Sequence, residues 1–310
     1  MLRYLSWRIG LAVPTVLGVV TVVFLLIHLI PGDPVDAMLG ESALAVDKEA
    51  VRHRLGLHRP VAVQYGLYLR RLARGSLGRS LAGGRPVRRM IVARFPATIE
   101  LTAAGLLVAI AIAFPLGLAA AARPRSVLDV GCISVALIGA AVPNFWLGPM
   151  LMLCFAVWLG WLPVSGRNGL PHLILPAVTL GLGMASVLAR LLRASLLDQL
   201  HGDHLRAARA KGASEVRVLL RHALPNALLP VVTVMGLQAG ALLSGAILTE
   251  TIFGWPGLGR LTVTAIETRD YPLVQGCVLV IALTYVAVNL AADLLCLWVD
   301  PRIRASAGGE

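Results

Sequence analysis

Long apolar runs nearly free of charge alternate with polar connections along this chain, and runs near 9–30, 98–122, 130–160, 171–189, 226–249 and 273–297 stand out, the last containing Asp293, which leaves its inner boundary loose. Each is near or above the roughly 20 residues that a helix needs to cross a bilayer. Inside lipid a backbone amide finds no water, so each run must pair its own polar groups by coiling. The pattern therefore predicts an all-α integral membrane protein with six transmembrane helices. Two runs are interrupted in informative ways. The third carries Pro143, Asn144 and Pro149 with no charge from Gly131 to Gly166, which predicts a kink that either only packs or helps shape a path through the bundle. The fifth carries Gly236, Gln238, Gly240, Ser244 and Gly245 at intervals near four, a small and mildly polar face. Close helix packing is the commoner reason for such a face, and lining a hydrophilic path is the other. Asn144, Gln238 and Ser244 are the candidate path residues. The small residues Gly181, Gly183, Ala185 and Ser186 predict that the fourth span lies inside the bundle.

Composition agrees with a membrane class: 57% of the residues are hydrophobic, 14% are charged, and mean hydropathy is +0.79. The first run, Ile9–Ile30, follows a basic head but exceeds the roughly 7–15 apolar residues of a signal peptide, and it ends in Pro31-Gly32-Asp33-Pro34. It reads as an uncleaved anchor. With the N-terminus in the cytoplasm, the short inner connections hold Arg3, Arg8, Arg123, Arg125, Arg190, Arg193, Arg302, Arg304 and the basic residues of 206–221. The short outer ones hold only Arg167, Arg260 and Arg269, as the positive-inside rule requires. The long segment 31–95 is also basic, but long loops largely escape that rule. The expected organisation is an anchor helix over 1–30, an extracytoplasmic segment over 31–95, a five-helix core over 96–304 and a tail over 305–310. Both termini are then cytoplasmic, and Ser80 and Ser214 face opposite sides. Within 31–95, helices are expected over Asp47–Leu55 and over the spacing of Val61, Tyr65, Tyr68, Leu69 and Leu72, the latter either lying on the outer membrane surface, the commoner case, or forming part of a dock for a soluble partner.

The net charge of +12 thus reports topology, and no soluble domain carries a basic face for nucleic acid. Catalytic readings fail on their residues. The only lysines, Lys48 and Lys211, follow no phosphate-cradling glycine loop, and neither a zinc-protease helix nor a nucleophile elbow is present. Cys132, Cys154, Cys277 and Cys296 are scattered singly through the spans, which suits apolar packing rather than a metal or a disulfide.

Between the fourth and fifth runs lies the basic stretch 203–225. Asp203 is placed to cap a short helix with Leu205, Ala207 and Ala208 on one face, and Gly212 suits its end. Ser214 can cap a second short helix that Pro225 stops, so the stretch forms an elbow. Ala207, Ala208, Gly212, Leu224 and Pro225 fall on the Ala-Ala, Gly and Leu-Pro positions of a known signature, with Arg206 where that signature opens on Glu. On these residues the chain resembles the permease subunits of ATP-binding-cassette importers, in the dipeptide, oligopeptide and nickel branch and of its first-permease type. Pro31–Pro34, Val142–Gly148 and Asp300–Arg304 resemble the same branch. So does the segment Glu250-Thr-Ile-Phe253-Gly-Trp255-Pro256-Gly257-Leu-Gly259-Arg260, the most specific of these likenesses. Its glycines and proline predict a turn-rich outer connection, with Phe253 and Trp255 suited to the membrane interface.

The resemblance implies a type I importer fold whose stretch 203–225 is a coupling helix. It also implies a homologous second permease, two cytoplasmic ATPases that use ATP, an extracytoplasmic solute-binding protein, and no cofactor on this chain. The location implied is the bacterial inner membrane, among lipid and without nucleic acid. Peptides are the implied cargo, with nickel complexes and glutathione open. A stand-alone channel or ion-coupled carrier is the competing class. A carrier needs ionisable residues deep in its spans, whereas Glu100, Glu250 and Asp293 lie near span ends.

Overall fold

The structure, a computed structural model, describes residues 2–29, 35, 48, 49, 52, 58–200 and 202–299. Most of the helix expected over Asp47–Leu55 lies outside them. The described elements are helical: α1 (Leu2–Leu29), α2 (Val61–Ala73), α3 (Val87–Ala122), α4 (Val127–Ala141), α5 (Asn144–Trp158) and α6 (Leu170–Leu200). Then follow α7 (Asp203–Ala210), α8 (Glu215–Ile252), α9 (Leu258–Glu267) and α10 (Tyr271–Val299). Among the described residues α3, α6, α8 and α10 are long and apolar enough to cross a membrane, and α4 with α5 makes a further, bent pair. In α1 the apolar stretch Ala12–Leu25 is shorter. The described chain divides into two compact units, one of 2–4, Ile99–Trp255 and 285–299, the other of Leu5–Thr98 and Pro256–Thr284.

In the first unit α6 is the central helix, as its small residues predict: 61% of its apolar window is buried, against 28% for α3 and α8. Gly181 is the reason it can sit there, because a Cβ at that position would run into the Gly105 carbonyl of α3. One turn pair further along, a Cβ on Gly117 would stand 3.0 Å from the Ala189 carbonyl oxygen. The glycines of α8 are likewise contact points, Gly236 against Ala292 and Gly240 against Tyr285 of α10. Close packing therefore accounts for the glycine part of the fifth-run stripe.

The expected kink in the third run is a full break. α4 and α5 meet at 98°. Val142, preceding a proline, is held extended (φ −87°, ψ 117°), and Pro143 caps α5 with its carbonyl accepting from Trp146 N and Leu147 N. Beyond Pro149 the helix widens into a π turn over Met152–Trp158.

The second unit has two apolar clusters. Val87 and Ile91 of α3 close on Leu258 and Ala265 of α9 and on Leu273 and Cys277 of α10. Val20 and Phe24 of α1 close on Tyr68 of α2 and Leu279 of α10. The spacing of Tyr65, Tyr68, Leu69 and Leu72 does form a helix, and these residues pack on α1, with the Phe24 and Tyr65 rings 5.1 Å apart. That burial pushes the Tyr68 phenol up to about 12. A carboxylate knot completes the unit. Asp270, 1% exposed, accepts from Ser80 Oγ, from Leu81 N at 3.1 Å and from Leu273 N at 3.3 Å. Ser80 is thus buried at 5% exposure, so it is no place for a surface label.

Candidate functional site

The elbow forms where the sequence places it, by partly different means. The N-cap of α7 is Gly202, and Asp203 is the first helical residue, its carboxylate 3.5 Å from Arg206. Ser214 occupies the next N-cap position without a side-chain bond. Leu205 is fully buried and anchors the inner face, while Arg206 and Ala207 are exposed and Ala208 is half-buried. Between the helices Gly212 takes φ +80°, a left-handed conformation that most side chains resist. Arg209 grips Glu215 across this turn, Nε to Oε1 at 2.9 Å and Nη2 to Oε2 at 3.3 Å.

The expectation that Pro225 ends a second short helix is overturned. Glu215–Ile252 runs as one helix of 38 residues. A proline ring collides with the carbonyl four residues earlier, here that of Arg221, and the chain relieves this with a π turn over Val218–Ala223. The elbow is therefore a short helix hinged directly onto a long apolar one. Val218 and Ala223 are buried, Leu224 is half-buried and Pro225 is exposed. Val216 at 68% and Leu220 at 47% exposure present apolar surface among Arg217, Arg221 and Lys211.

The candidate path residues are not gathered into one cluster by any described contact. Asn144 is half-buried at the start of α5, Gln238 is half-buried on α8, and Ser244 is exposed. The outer connection departs from its expected setting. Phe253 and Trp255 are 1% and 0% exposed, so they are packed inside the first unit and not set at a membrane interface. Gly254 (φ +61°) turns the chain so that Trp255 N donates to the Glu250 carbonyl at 2.8 Å, and Glu250 is itself buried. The Phe253 carbonyl accepts from Gly166 N at 3.0 Å. The Arg167 guanidinium lies 5.7 Å over the Trp255 ring and donates from Nε to Glu100 at 2.9 Å. In the second unit the predicted turn-rich path ends in α9, capped by Gly257, with Gly259 buried, Pro256 half-buried and Leu258 N donating to Thr98 Oγ1 at 2.7 Å.

One ion pair was not anticipated. Asp129, 4% exposed at its side chain, accepts from Arg193 Nε at 2.5 Å, Arg193 Nη2 at 2.6 Å and Arg125 N at 2.9 Å. It ties the start of α4 to α6. The signal was present as Ser126-Val-Leu-Asp129, a capping-box spacing ahead of an apolar run. Ser126 Oγ does accept from Asp129 N, at 3.3 Å.

Several apolar helices long enough to cross a bilayer, with a basic helical elbow between two of them, define an integral membrane protein. Residues 113–305 match the family described as binding-protein-dependent transport system inner membrane component, and residues 1–102 match its N-terminal region. The chain is 43% identical to the di/tripeptide transport system permease protein DppB of Pseudomonas aeruginosa (strain UCBPP-PA14), over 98% of this chain and 99% of that one. It is 41% identical to the dipeptide permease DppB of Escherichia coli (strain K12), with the same coverages. To the glutathione transport system permease protein GsiC of Salmonella choleraesuis (strain SC-B67) it is 43% identical, again over 98% and 99%. Its fold is similar to that of a chain in the inward-facing MetNI methionine ABC transporter, with TM-score 0.56 and 20% identity over 69% of this chain and 97% of that one. The chain belongs to the family of binding-protein-dependent transport system inner membrane components, and it is a permease subunit of an ATP-binding-cassette importer.

Proposed function

We propose that this chain forms half of the translocation path of an importer for peptides of two or three residues. The observation that carries the cargo is near-full-length likeness to permeases named for dipeptides and tripeptides. In this reading six helices span the inner membrane, with α1 and the bent α4–α5 pair each counted once and both termini cytoplasmic. The α7–α8 elbow, with Arg206, Ala207, Ala208, Gly212, Leu224 and Pro225, docks one of two ATPases. Those ATPases hydrolyse ATP, a homologous permease supplies the other half of the path, an extracytoplasmic binding protein delivers solute, and this chain binds no cofactor.

Glutathione, itself a tripeptide, is the second reading, since the chain is equally similar, at 43% identity, to a permease named for it.

Orientation is tested with single cysteines in a background free of the native ones. The exposed Ser76, in place of buried Ser80, should react with an impermeant maleimide in intact cells, and exposed Ser214 only after lysis. The reverse pattern inverts the topology.

Selectivity is expected to reside in the binding protein. No charge lies between Gly131 and Gly166, and stripping a zwitterion's ammonium and carboxylate of water costs several kcal/mol each. Calorimetry on the permease–ATPase complex without binding protein should give no affinity for the cargo tighter than about 10 µM, roughly −7 kcal/mol. A submicromolar site weakened by substitution of Asn144, Gln238 or Ser244 contradicts this.

A further inference from the structure

In the second unit, the first turns of α3 and the face of α9 enclose a groove. A cavity of about 500 Å³ is lined by Arg85, Arg89 and Arg94 together with apolar Met90, Ala93 and Leu261. A neighbouring cavity of about 200 Å³ shares Arg94 and Leu261 and is flanked by Arg260, next to Pro256 and Gly257 of the outer connection. The larger volume falls within the range of about 300–1,000 Å³ typical of small-molecule sites. No carboxylate lines either cavity, and among the described residues Arg85, Arg89 and Arg94 make no ion pair. Such a groove suits a small anion that also carries apolar surface.

Position along α3 decides between a lipid headgroup and a dissolved anion. The uncharged run Leu101–Ala122 begins just after Glu100. At 1.5 Å per residue Arg94 lies about 9 Å beyond Glu100, and Arg89 about 17 Å. The headgroup layer is only about 5–8 Å deep on each side. Along a helix near the bilayer normal this sets Arg89 outside the headgroup layer, which favours a dissolved anion over a phospholipid phosphate.

We propose that this groove is a weak access site for the C-terminal carboxylate of the peptide cargo on the outer face, an inference that rests on the peptide reading above. Arg89 and Arg94 offer planar guanidinium forks matched to a carboxylate, while Met90, Ala93 and Leu261 accept the adjoining side chain. The role of the outer connection follows: its turn sets α9 as the second wall. Weak binding is required at such a site, because a solute held tightly there would not move on.

The test uses the permease–ATPase complex in nanodiscs without binding protein, titrated with alanyl-leucine, its C-terminal amide and inorganic phosphate, and read by saturation-transfer NMR. Alanyl-leucine should bind with Kd about 1 mM, consistent with the calorimetric bound above. The amide should bind at least about tenfold more weakly, as one lost charge-assisted fork requires. Arg89→Gln and Arg94→Gln should each weaken the dipeptide at least about tenfold, the lower end of the cost of a hydrogen bond to a charged group. Arg88→Gln, exposed and outside the lining, should not. Equal binding of the amide, equal effects of Arg88→Gln and Arg89→Gln, or phosphate binding as tight as the dipeptide each overturn the proposal. Peptide uptake by cells carrying the complete importer is measured in parallel. Uptake without carboxylate-dependent binding removes the groove and leaves the peptide reading; binding without uptake removes the peptide reading and leaves a carboxylate site.

Discussion

Gly212→Asp should leave the chain inserted and folded while lowering transport at least about tenfold, equivalent to roughly 1.4 kcal/mol or more in the productive step. The substitution leaves this chain's own packing undisturbed. A Cβ at Gly212 meets nothing within 4 Å, so the side chain projects into open space and strains no packing in this chain. The conformation at φ +80° is left-handed, and Asp is among the few residues that enter that region at modest cost. The variant should therefore keep Leu205 buried and retain the Arg209–Glu215 grip. A large loss of transport then reports a partner surface pressed against the turn, into which the new carboxylate intrudes. Transport near wild type, with the protein present at normal amounts in the membrane, would remove the docking role of 203–225.

The Asp129–Arg193 pair should respond asymmetrically. The carboxylate is 4% exposed and the guanidinium 29%, so the two partners differ in what they can do once abandoned. Arg193→Ala leaves a buried carboxylate with the Arg125 amide as its remaining charge-stabilising donor, and the cost should be about 3 kcal/mol, at the low end for a broken buried pair. Asp129→Ala leaves a guanidinium that can turn to water, and about 1–2 kcal/mol is expected, in the range of an unmade hydrogen bond. The double variant should be more stable than the sum of the two losses implies, since it leaves no orphaned charge. Heat-induced unfolding of the detergent-solubilised protein, followed by the exposure of Cys132 and Cys154 to a thiol dye, ranks the three. Equal losses, or strict additivity, would show that the pair contributes no coupling between α4 and α6.

Several elements were legible because they depend on local chemistry. Long apolar runs with few charges became α3, α6, α8 and α10, since a helix that must satisfy its own backbone in lipid needs no partner to specify it. The elbow was legible because Gly212 is a conformational requirement that a single residue carries, and the capping-box spacing at Ser126 could have revealed Asp129 on the same basis. The family wording at Glu250–Arg260 marked a turn-rich segment, and Gly254 and Gly257 make one.

What depended on neighbours far along the chain was not legible. Phe253 and Trp255 have the composition of interface aromatics, and only the approach of Gly148 and Arg167 put them inside. Pro225 reads as a helix stop, because local sterics forbid a regular turn, but a π turn over Val218–Ala223 absorbs the clash and keeps the long helix whole. Ser80 reads as a loop serine, and Asp270, far along the chain, buries it. The groove beside Arg94 is the same kind of case: its arginines look like scattered positive charge in the sequence, and α9 supplies the wall that turns them into an enclosure. The sequence by itself determined the membrane class, most helix positions and the glycine hinge, because propensity and transfer free energy act residue by residue. Burial of the outer connection, the α4–α6 tie and the arginine groove were decided by tertiary structure, because each is a relation between segments whose separation in sequence carries no local signal.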